Sequence, residues 1–206
     1  MLSRPTTNER ERPLPGDCVV HDAAGQVMHA VTIAAPPDAV WPWLVQMGSG
    51  RAGWYSYDWI DNDGRPSATT IVPALQHLAV GDIMPSLPGA TDSFLVAAIQ
   101  PFRDLILTVA SADGSALVSW EFALAPIGTR QTRLMVRGRV GALWPGGAAT
   151  KFPSSPRPIE RVYELLAQMP RWLMIPAAMF GHGLMQAHQL QGIKYRAEYI
   201  EKLRTV

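Results

Sequence analysis

Four consecutive runs of strand-forming residues constrain the fold more than any other feature of this chain. They occupy residues 94–100, 105–110, 116–125 and 131–140. Segments that favour turns separate them: Pro-Phe-Arg-Asp at 101–104, Ala-Asp-Gly-Ser at 112–115 and Ile-Gly-Thr at 127–129. Short β-rich runs with turn residues between them are typical of antiparallel hairpins. The sequence therefore predicts a meander of four antiparallel strands.

The last two runs alternate between two kinds of side chain. The apolar set is Trp120, Phe122, Leu124, Leu134, Val136 and Val140. The opposite set is Ser119, Glu121, Ala123, Arg133, Arg137 and Arg139. Because successive strand residues point to opposite faces, the sheet should have one covered face and one polar face. We expect Glu121 to be solvated and the three arginines to lie on an exposed face paired with carboxylates; an anion-binding strip is the functional alternative.

Segments with helical signals flank the meander. A strand is predicted at residues 27–35. A short helix follows it, with Pro37 or Asp38 near its start; Pro42 favours a regular helix from around Val40, so that this proline falls in the first turn. After the meander come a Gly/Pro/Ser-rich loop at 141–158, a helix at 159–169, and a terminal helix from about Ala177 to Leu203. Pro170 and Pro176 should separate these two helices, and an apolar stripe repeats at 3/4 spacing along the second.

A dense aromatic segment lies between the first strand and the meander. Residues 51–62 (RAGWYSYDWIDN) hold four of the twelve Trp and Tyr residues of the chain. Aromatic side chains of this kind build either a core or the wall of a ligand cavity. We predict a second short helix or an irregular wall here.

Length and composition indicate one globular domain. The 206 residues divide into an N-terminal tail or surface strap at 1–26 and a single domain at 27–206. The net charge of +1 gives no strong attraction to nucleic acid, and the single cysteine excludes an internal disulfide. The N-terminus has no apolar signal region, and the longest apolar run, 172–180, is far short of the roughly 20 residues that span a bilayer. A soluble, cytoplasmic protein is expected.

Five segments together resemble a known superfamily. They are APPDAVWPWLVQMG at 35–48, RAGWYSYDWIDN at 51–62, LAVGD at 78–82, SWEF at 119–122 and GIKYRAE at 192–198. The chain resembles the SRPBCC superfamily over residues 27–198, and within it uncharacterised bacterial members. That superfamily includes START lipid-transfer domains, pollen-allergen-like proteins and polyketide cyclase/dehydrase-like proteins. The resemblance implies an α+β helix-grip fold: a curved antiparallel sheet wrapped around a long C-terminal helix, two short helices after the first strand, and an apolar cavity between sheet and helix.

Motifs with chemical meaning are few. Gly48, Gly50 and Gly53 match a GxGxxG spacing, but no strand precedes them and no acid lies near position 73, so a tight turn is the better interpretation. The histidines His21, His29, His77, His182 and His188 form no metal-binding pattern. His182 follows the most apolar run and is the histidine that we consider for proton transfer. No metal and no cofactor are predicted.

The function predicted is binding of a small hydrophobic or amphipathic molecule in an internal cavity. The cavity residues proposed from the sequence are Arg51, Trp54, Tyr55, Tyr57, Trp59, Trp120, Phe122, Met179, Phe180 and Met185. Core packing is the alternative interpretation of the aromatic members of this set.

Two other classes of function stay open. A polyketide cyclase/dehydrase-type enzyme would use Tyr57, Asp58 and His182. A protein-interaction module without a ligand would show an exposed sheet edge or an apolar patch around residues 172–180. A homodimer is left open, and no nucleic acid or transmembrane segment is expected.

Overall fold

The computed structural model describes residues 4–87, 93–111, 113–142 and 168–204. Its elements are α1 (Thr7–Glu11), β1 (Ala23–Ile33), α2 (Pro37–Val45), α3 (Asp58–Asp61), β2 (Ile83–Pro85), β3 (Ser93–Gln100), β4 (Asp104–Ala110), β5 (Ala116–Ile127), β6 (Gln131–Gly141) and α4 (Arg171–Arg204). Two short 3-10 turns, at Pro15–Cys18 and Pro73–Leu75, complete the set.

The six strands form one antiparallel sheet in the order β1-β6-β5-β4-β3-β2. The meander from β3 to β6 is confirmed, and its register places Trp120 opposite Leu107 on one side and Gly138 on the other. The first strand begins at Ala23, four residues before the predicted start. The three-residue strand β2 was not predicted, because it is too short to show an alternation.

The inner face of the sheet packs against α4. Ile33, Leu105, Phe122 and Leu134 are fully buried there, and the helix contributes Leu190, Ile193 and Ala197 to the same core. One end of this layer is therefore a close-packed core. This is the helix-grip arrangement, and it confirms the α+β fold class.

The terminal helix is longer than predicted. It starts at Arg171 and runs through Pro176, so the expected break at Pro176 is wrong. Pro176 is the sixth residue of the helix and removes only the hydrogen bond to the carbonyl of Trp172. The predicted loop at 141–158 and helix at 159–169 fall mainly on residues 143–167, outside the described residues.

Helix α2 also contains a proline, Pro42, which lies farther from the start of the helix than predicted. The helix begins at Pro37, one of the two predicted starts, and is regular from there rather than from around Val40. Pro36, in extended conformation, is its N-cap, so Pro42 lies in the middle of the helix. Trp43 and Leu44, which follow it, are completely buried. Tertiary packing of this apolar segment therefore outweighs the lost backbone hydrogen bond.

The outer face of the sheet is covered by residues 4–22, which we call the strap. The guanidinium of Arg133 donates two hydrogen bonds to the carboxylate of Glu9, at 2.7 and 2.9 Å. The guanidinium of Arg137 lies 2.6 Å from the carboxylate of Asp17. Leu14 packs in a second, smaller core. The carboxylate partners expected for the arginines are present, but Arg133 and Arg137 are buried rather than exposed.

Glu121 is buried beneath the strap, so its predicted solvation is wrong. Only 1% of its surface is exposed, and one carboxyl oxygen accepts a hydrogen bond from the backbone N–H of Gly16 at 2.8 Å. A β-carbon at Gly16 would lie 2.6 Å from that oxygen, which explains the glycine. Burial, with smaller contributions from Asp104 and Asp17, raises the pKa of Glu121 to about 7. Strand alternation gave the correct face but could not show what covers it.

Polar side chains tie α4 to the edge strand β1. Lys194 donates to the carbonyl of Thr32 at 2.6 Å, and Glu198 accepts from the backbone N–H of Ala34 at 2.7 Å. Lys194 and Glu198 also pair with each other at 2.5 Å. The helix is thus fixed in register along this edge of the sheet.

Gly192 marks the closest approach of α4 to the aromatic segment. A β-carbon at Gly192 would overlap the carbonyl oxygen of Tyr55 and lie 2.8 Å from its β-carbon. We expect Gly192→Ala to lower the free energy of unfolding by about 2–3 kcal/mol, because backbone must move to admit the methyl group.

Gly181→Ala is the matched control for this substitution. A β-carbon at Gly181 meets nothing within 4 Å, and alanine favours the helix by about 1 kcal/mol relative to glycine. Urea denaturation followed by circular dichroism gives both values. Equal stabilities of the two variants would contradict the close approach.

Within the described ranges, no helix is long and apolar enough to cross a membrane.

Candidate functional site

The inner face of the sheet is not equally buried along its length. At the end that holds Ile33 the core is filled, but at the opposite end the apolar side chains are only half-buried. These side chains are Val27, Val109, Val118 and Val140. Val118 pairs directly with both Val109 and Val140, so the valines of three strands are neighbours. We call this region the open end of the inner face.

Helix α4 places His182 over the open end. A β-carbon at Gly138 would lie 3.6 Å from Nε2 of His182 and 3.2 Å from Val27, so the missing side chain of Gly138 makes room for the imidazole. The ring of His182 also meets that of Trp120 edge-on, at 5.5 Å between centroids. His182 is half-buried at this position, so part of its surface stays accessible.

A second imidazole lies beside the first. His29 of β1 approaches the helix at Gly183, where a β-carbon would lie 3.5 Å from its Nε2. Burial, with a smaller contribution from His29, lowers the pKa of His182 to about 4. Burial also lowers the pKa of His29, with a smaller contribution from Arg10. Both imidazoles are therefore neutral near pH 7 and can each donate and accept one hydrogen bond.

Buried amides continue the polar surface along α4. The indole N–H of Trp120 donates to Oε1 of Gln186 at 2.7 Å, and Nε2 of Gln186 donates to Oε1 of Gln189 at 2.6 Å. Both glutamines are 2% exposed. This chain of hydrogen bonds fixes the indole of Trp120 at the boundary between the filled core and the open end.

Among the residues predicted for the cavity, Trp54, Trp120 and Phe122 come together. Trp54 lies 5.2 Å from Trp120 between ring centroids, and Trp120 lies 4.8 Å from Phe122. Phe94, which the sequence did not single out, joins them at 5.0 Å from Trp120. The indole N–H of Trp54 donates a hydrogen bond to the carbonyl of Ser86. These aromatic rings form the floor of the open end.

Tyr55 and Arg51 are held by the protein itself. The Tyr55 hydroxyl donates to the carbonyl of Trp43 at 3.1 Å and accepts from Gln46 at 2.9 Å. Arg51 donates to the carbonyls of Met47 and Val45, at 2.8 and 3.0 Å. Burial raises the pKa of Tyr55, so this phenol stays protonated. Both side chains position the aromatic segment.

Tyr57 and Asp58 lie at a separate cleft on the other side of the aromatic segment. Tyr57 stacks on His188 at 4.4 Å between centroids, and Asp58 accepts hydrogen bonds from the backbone and hydroxyl of Ser67. The cleft measures about 320 Å³ and lies between this segment and α4; its lining includes Ser56, Asp58, His188, Gln191, Tyr195 and Arg196. Asp58 and His182 therefore border different spaces: Asp58 lines this cleft, and His182 lies over the open end.

The remaining predicted residues lie on different sides of the protein. Trp59 is 72% exposed and Phe180 is 71% exposed, so both lie on the surface. Met179 reaches the sheet at Gly25, where a β-carbon would meet its sulfur at 2.5 Å. The backbone carbonyl of Met185 accepts from the hydroxyl of Ser56.

Sequence inspection missed His29, Gln186 and Gln189. His29 follows Val27 on the inner face at a spacing of two, a signal that the alternation of β1 contains. The glutamines give no comparable signal, because their burial depends on how α4 is rotated against the sheet. Within residues 4–87, 93–111, 113–142 and 168–204, no group of three His, Cys, Asp or Glu side chains could hold a metal ion.

Comparison with known proteins describes the architecture only. No protein-family model matches the sequence, and no curated protein matches it either. Solved structures that resemble it include the protein MLL2253 from Mesorhizobium loti, with 16% identity over 85% of this chain and 98% of that one at a TM-score of 0.43. The Polyketide_cyc-like protein Cgl2372 from Corynebacterium glutamicum has 16% identity over 82% of this chain and 88% of that one, at a TM-score of 0.41.

The Zhui aromatase/cyclase from Streptomyces sp. R1128 has 15% identity over 84% of this chain and 93% of that one, at a TM-score of 0.38. Likenesses this distant say nothing of ligand or reaction. The class defined by the sheet and α4 is that of the helix-grip proteins, and function must be argued from the site.

Proposed function

We propose that the protein binds a small apolar or amphipathic molecule at the open end of the inner face. The observation that supports this most is the group of half-buried valines in front of an otherwise filled core. Apolar surface that the protein leaves accessible beside its own core can be buried by a ligand, at about 2.5 kcal/mol for every 100 Å² removed from water.

The polar groups at the open end favour a ligand with one hydrogen-bonding oxygen. His182 and His29 carry no charge near pH 7, and neither imidazole makes a hydrogen bond to another described residue. A hydroxyl or carbonyl group of a ligand could bond to them while its apolar body covers Val118 and Val140. Such a site has the composition of a ligand pocket: apolar walls with a few polar groups.

Filling the open end provides the test. We expect wild-type protein to bind the uncharged fluorescent probe N-phenyl-1-naphthylamine, and Val118→Phe to weaken that binding at least tenfold, because the larger ring occupies the space. Val80→Phe is the matched control, since Val80 is 63% exposed and lies in the loop before β2. Val140→Phe is a second variant in case Val118→Phe folds poorly.

Unchanged probe affinity in folded Val118→Phe and Val140→Phe would refute the proposed site. Native mass spectrometry of freshly purified protein adds an independent result. A mass excess that disappears on denaturation identifies a ligand carried through purification.

An enzyme of the cyclase/dehydrase type is the second candidate. It is favoured by His182, a neutral imidazole with an accessible edge beside an aromatic wall, which is suited to accept a proton from a bound substrate. If the protein catalyses a reaction, His182→Gln should retain probe binding and stop the conversion of the bound molecule, followed by its mass over time. A bound molecule of constant mass in wild-type protein favours simple binding.

A further inference from the structure

The outer face of α4 carries an exposed apolar stripe. Its members are separated by 7, 4, 11, 4 and 4 positions, each close to a whole number of turns, so they form one stripe that winds slowly around the helix. They are Leu173, Phe180, Leu184, Tyr195, Tyr199 and Leu203, with exposures of 44, 71, 53, 70, 52 and 61%. Trp172, at 77%, lies beside the first of them. An exposed apolar surface of this size marks a contact site.

Most of the stripe is free of charge. Between Trp172 and Ile193 the sequence contains no Asp, Glu, Lys or Arg. Among the final residues, Glu201 lies 3.8 Å from Arg204 and offsets part of its charge. The charged residues of α4 after Trp172 all lie at positions 194–204, so in an antiparallel pair they would face the uncharged part of the second copy rather than one another.

The stripe is also nearly symmetric about His188. Leu173 and Leu203 lie 15 positions on either side of it, and Phe180 lies eight positions before it while Tyr195 lies seven after it. Two copies of α4 packed antiparallel, with a two-fold axis at His188, would therefore place Leu173 against Leu203 of the second copy. Phe180 would face the tyrosines of the second copy.

The cleft of about 320 Å³ supplies a hole for one of these side chains. Leu184 lies four positions before His188, and Gly192 lies four positions after it. Antiparallel pairing thus brings Leu184 of one copy opposite Gly192 of the other. Gly192 lines the cleft together with His188 and Tyr195. An apolar side chain entering a hole between helix residues is the usual way in which paired helices interlock.

The available area fits a stable dimer. Seven large side chains that each expose roughly 100 Å² offer about 700 Å² per copy, close to the roughly 800 Å² per partner of a standard interface. The exposed ring of Trp59, next to the Tyr57–His188 stack, can add to it.

We propose that the outer face of α4 is a self-association surface on which two copies of this chain pack as antiparallel helices about a two-fold axis at His188. The occupant is a second copy because the pattern of side chains complements itself on reversal and leaves Leu184 opposite the cleft. This proposal does not depend on ligand binding at the open end, which lies on the other side of the helix.

Solution mass tests the association. Light scattering coupled to gel filtration should give twice the 22.5 kDa mass of the chain at micromolar concentration. Leu184→Glu should raise the dimer dissociation constant at least 100-fold, because a carboxylate would enter the cleft beside Asp58. Val80→Glu replaces an equally exposed apolar residue away from α4 and should remain dimeric.

Cysteine crosslinking tests the geometry. In a Cys18→Ser background, which removes the exposed native thiol, His188→Cys should form a disulfide-linked dimer with itself on oxidation. Leu173→Cys and Leu203→Cys should crosslink when mixed and not separately. A monomer at 100 μM, a dimer unaffected by Leu184→Glu, or crosslinking of Leu173→Cys with itself would each overturn the proposal.

Discussion

Replacing Asp61 with asparagine is expected to make the protein more stable at pH 8 than the wild type, with little of this pH-dependent gain near pH 4. Asp61 of α3 is 1% exposed, and neither carboxyl oxygen has a hydrogen-bond partner among the described residues. Burial, together with the nearby charge of Asp58, raises the pKa of this carboxyl to about 7. The carboxyl is therefore a buried acid that resists ionisation.

The sign follows from proton linkage. A folded-state pKa above the unfolded value of 3.8 means that the folded protein holds this proton more tightly. The contribution of the Asp61 carboxyl to the free energy of unfolding is fully present below about pH 4 and is lost as the pH rises to 7. At 1.36 kcal/mol for each pKa unit, the loss is about 2–4 kcal/mol. Asparagine cannot ionise, so the difference between Asp61→Asn and wild type should grow by that amount between pH 4 and pH 8.

The comparison must be made between variants, because other groups act in opposite directions. Glu121 also lowers the stability of the folded protein as the pH rises from its ordinary pKa of 4.5 to about 7. His182 acts in the opposite direction: it favours the folded state above pH 6.5 and destabilises it as the pH falls toward 4. Guanidinium denaturation of Asp61→Asn and wild type at several pH values cancels these contributions. The control is Asp38→Asn, at the first turn of α2. A constant difference between Asp61→Asn and wild type from pH 4 to pH 8 would contradict the prediction.

Arg137→Met is expected to lower the free energy of unfolding by about 3–5 kcal/mol and to release the strap. Arg137 is 3% exposed and its guanidinium donates to Asp17 at 2.6 Å. It also donates to three strap carbonyls, those of Glu9, Arg10 and Arg12, at 2.9–3.1 Å. Methionine preserves the apolar stem and removes all of these bonds, leaving buried carbonyls and a carboxylate without this partner.

Arg130→Met provides the control, since Arg130 is exposed in the turn between β5 and β6. Chemical denaturation measures the loss of stability, and trypsin cleavage after Arg10 measures release of the strap. We expect cleavage to be at least tenfold faster in Arg137→Met. Equal stability and equal cleavage in the two variants would show that the strap contributes little.

The inner face could be predicted from the sequence because its signal is local. Alternation placed Trp120, Phe122 and Val136 on one side of the sheet, and the structure confirms that side as the inner one. Whether the outer face is exposed or covered could not be predicted in the same way. Alternation assigns Glu121 and Arg137 to a face, but only the path of the strap, set by contacts more than 100 residues apart, decides that they are buried.

The candidate site was predicted in part for a similar reason. The aromatic floor came from composition, since Trp54 and Trp120 are large and few positions can bury them. The burial of Gln186 against Trp120 depends on the rotation of α4, which no local pattern fixes, so Gln186 was missed. The alternation of β1 places His29 on the inner face, but its position beside His182 depends on the same rotation. Pro176 misled the prediction of the helix start, because a proline near the N-terminus costs a helix only one hydrogen bond.

The bonds from Lys194 and Glu198 to β1 have a consequence for solubility. The first strand is an edge of the sheet, and its free backbone groups could recruit a strand from another molecule. The helix side chains occupy the carbonyl of Thr32 and the N–H of Ala34, near one end of that edge. A foreign strand that tried to extend the sheet there would have to displace an ion pair first, so these two residues protect the protein against edge-to-edge aggregation.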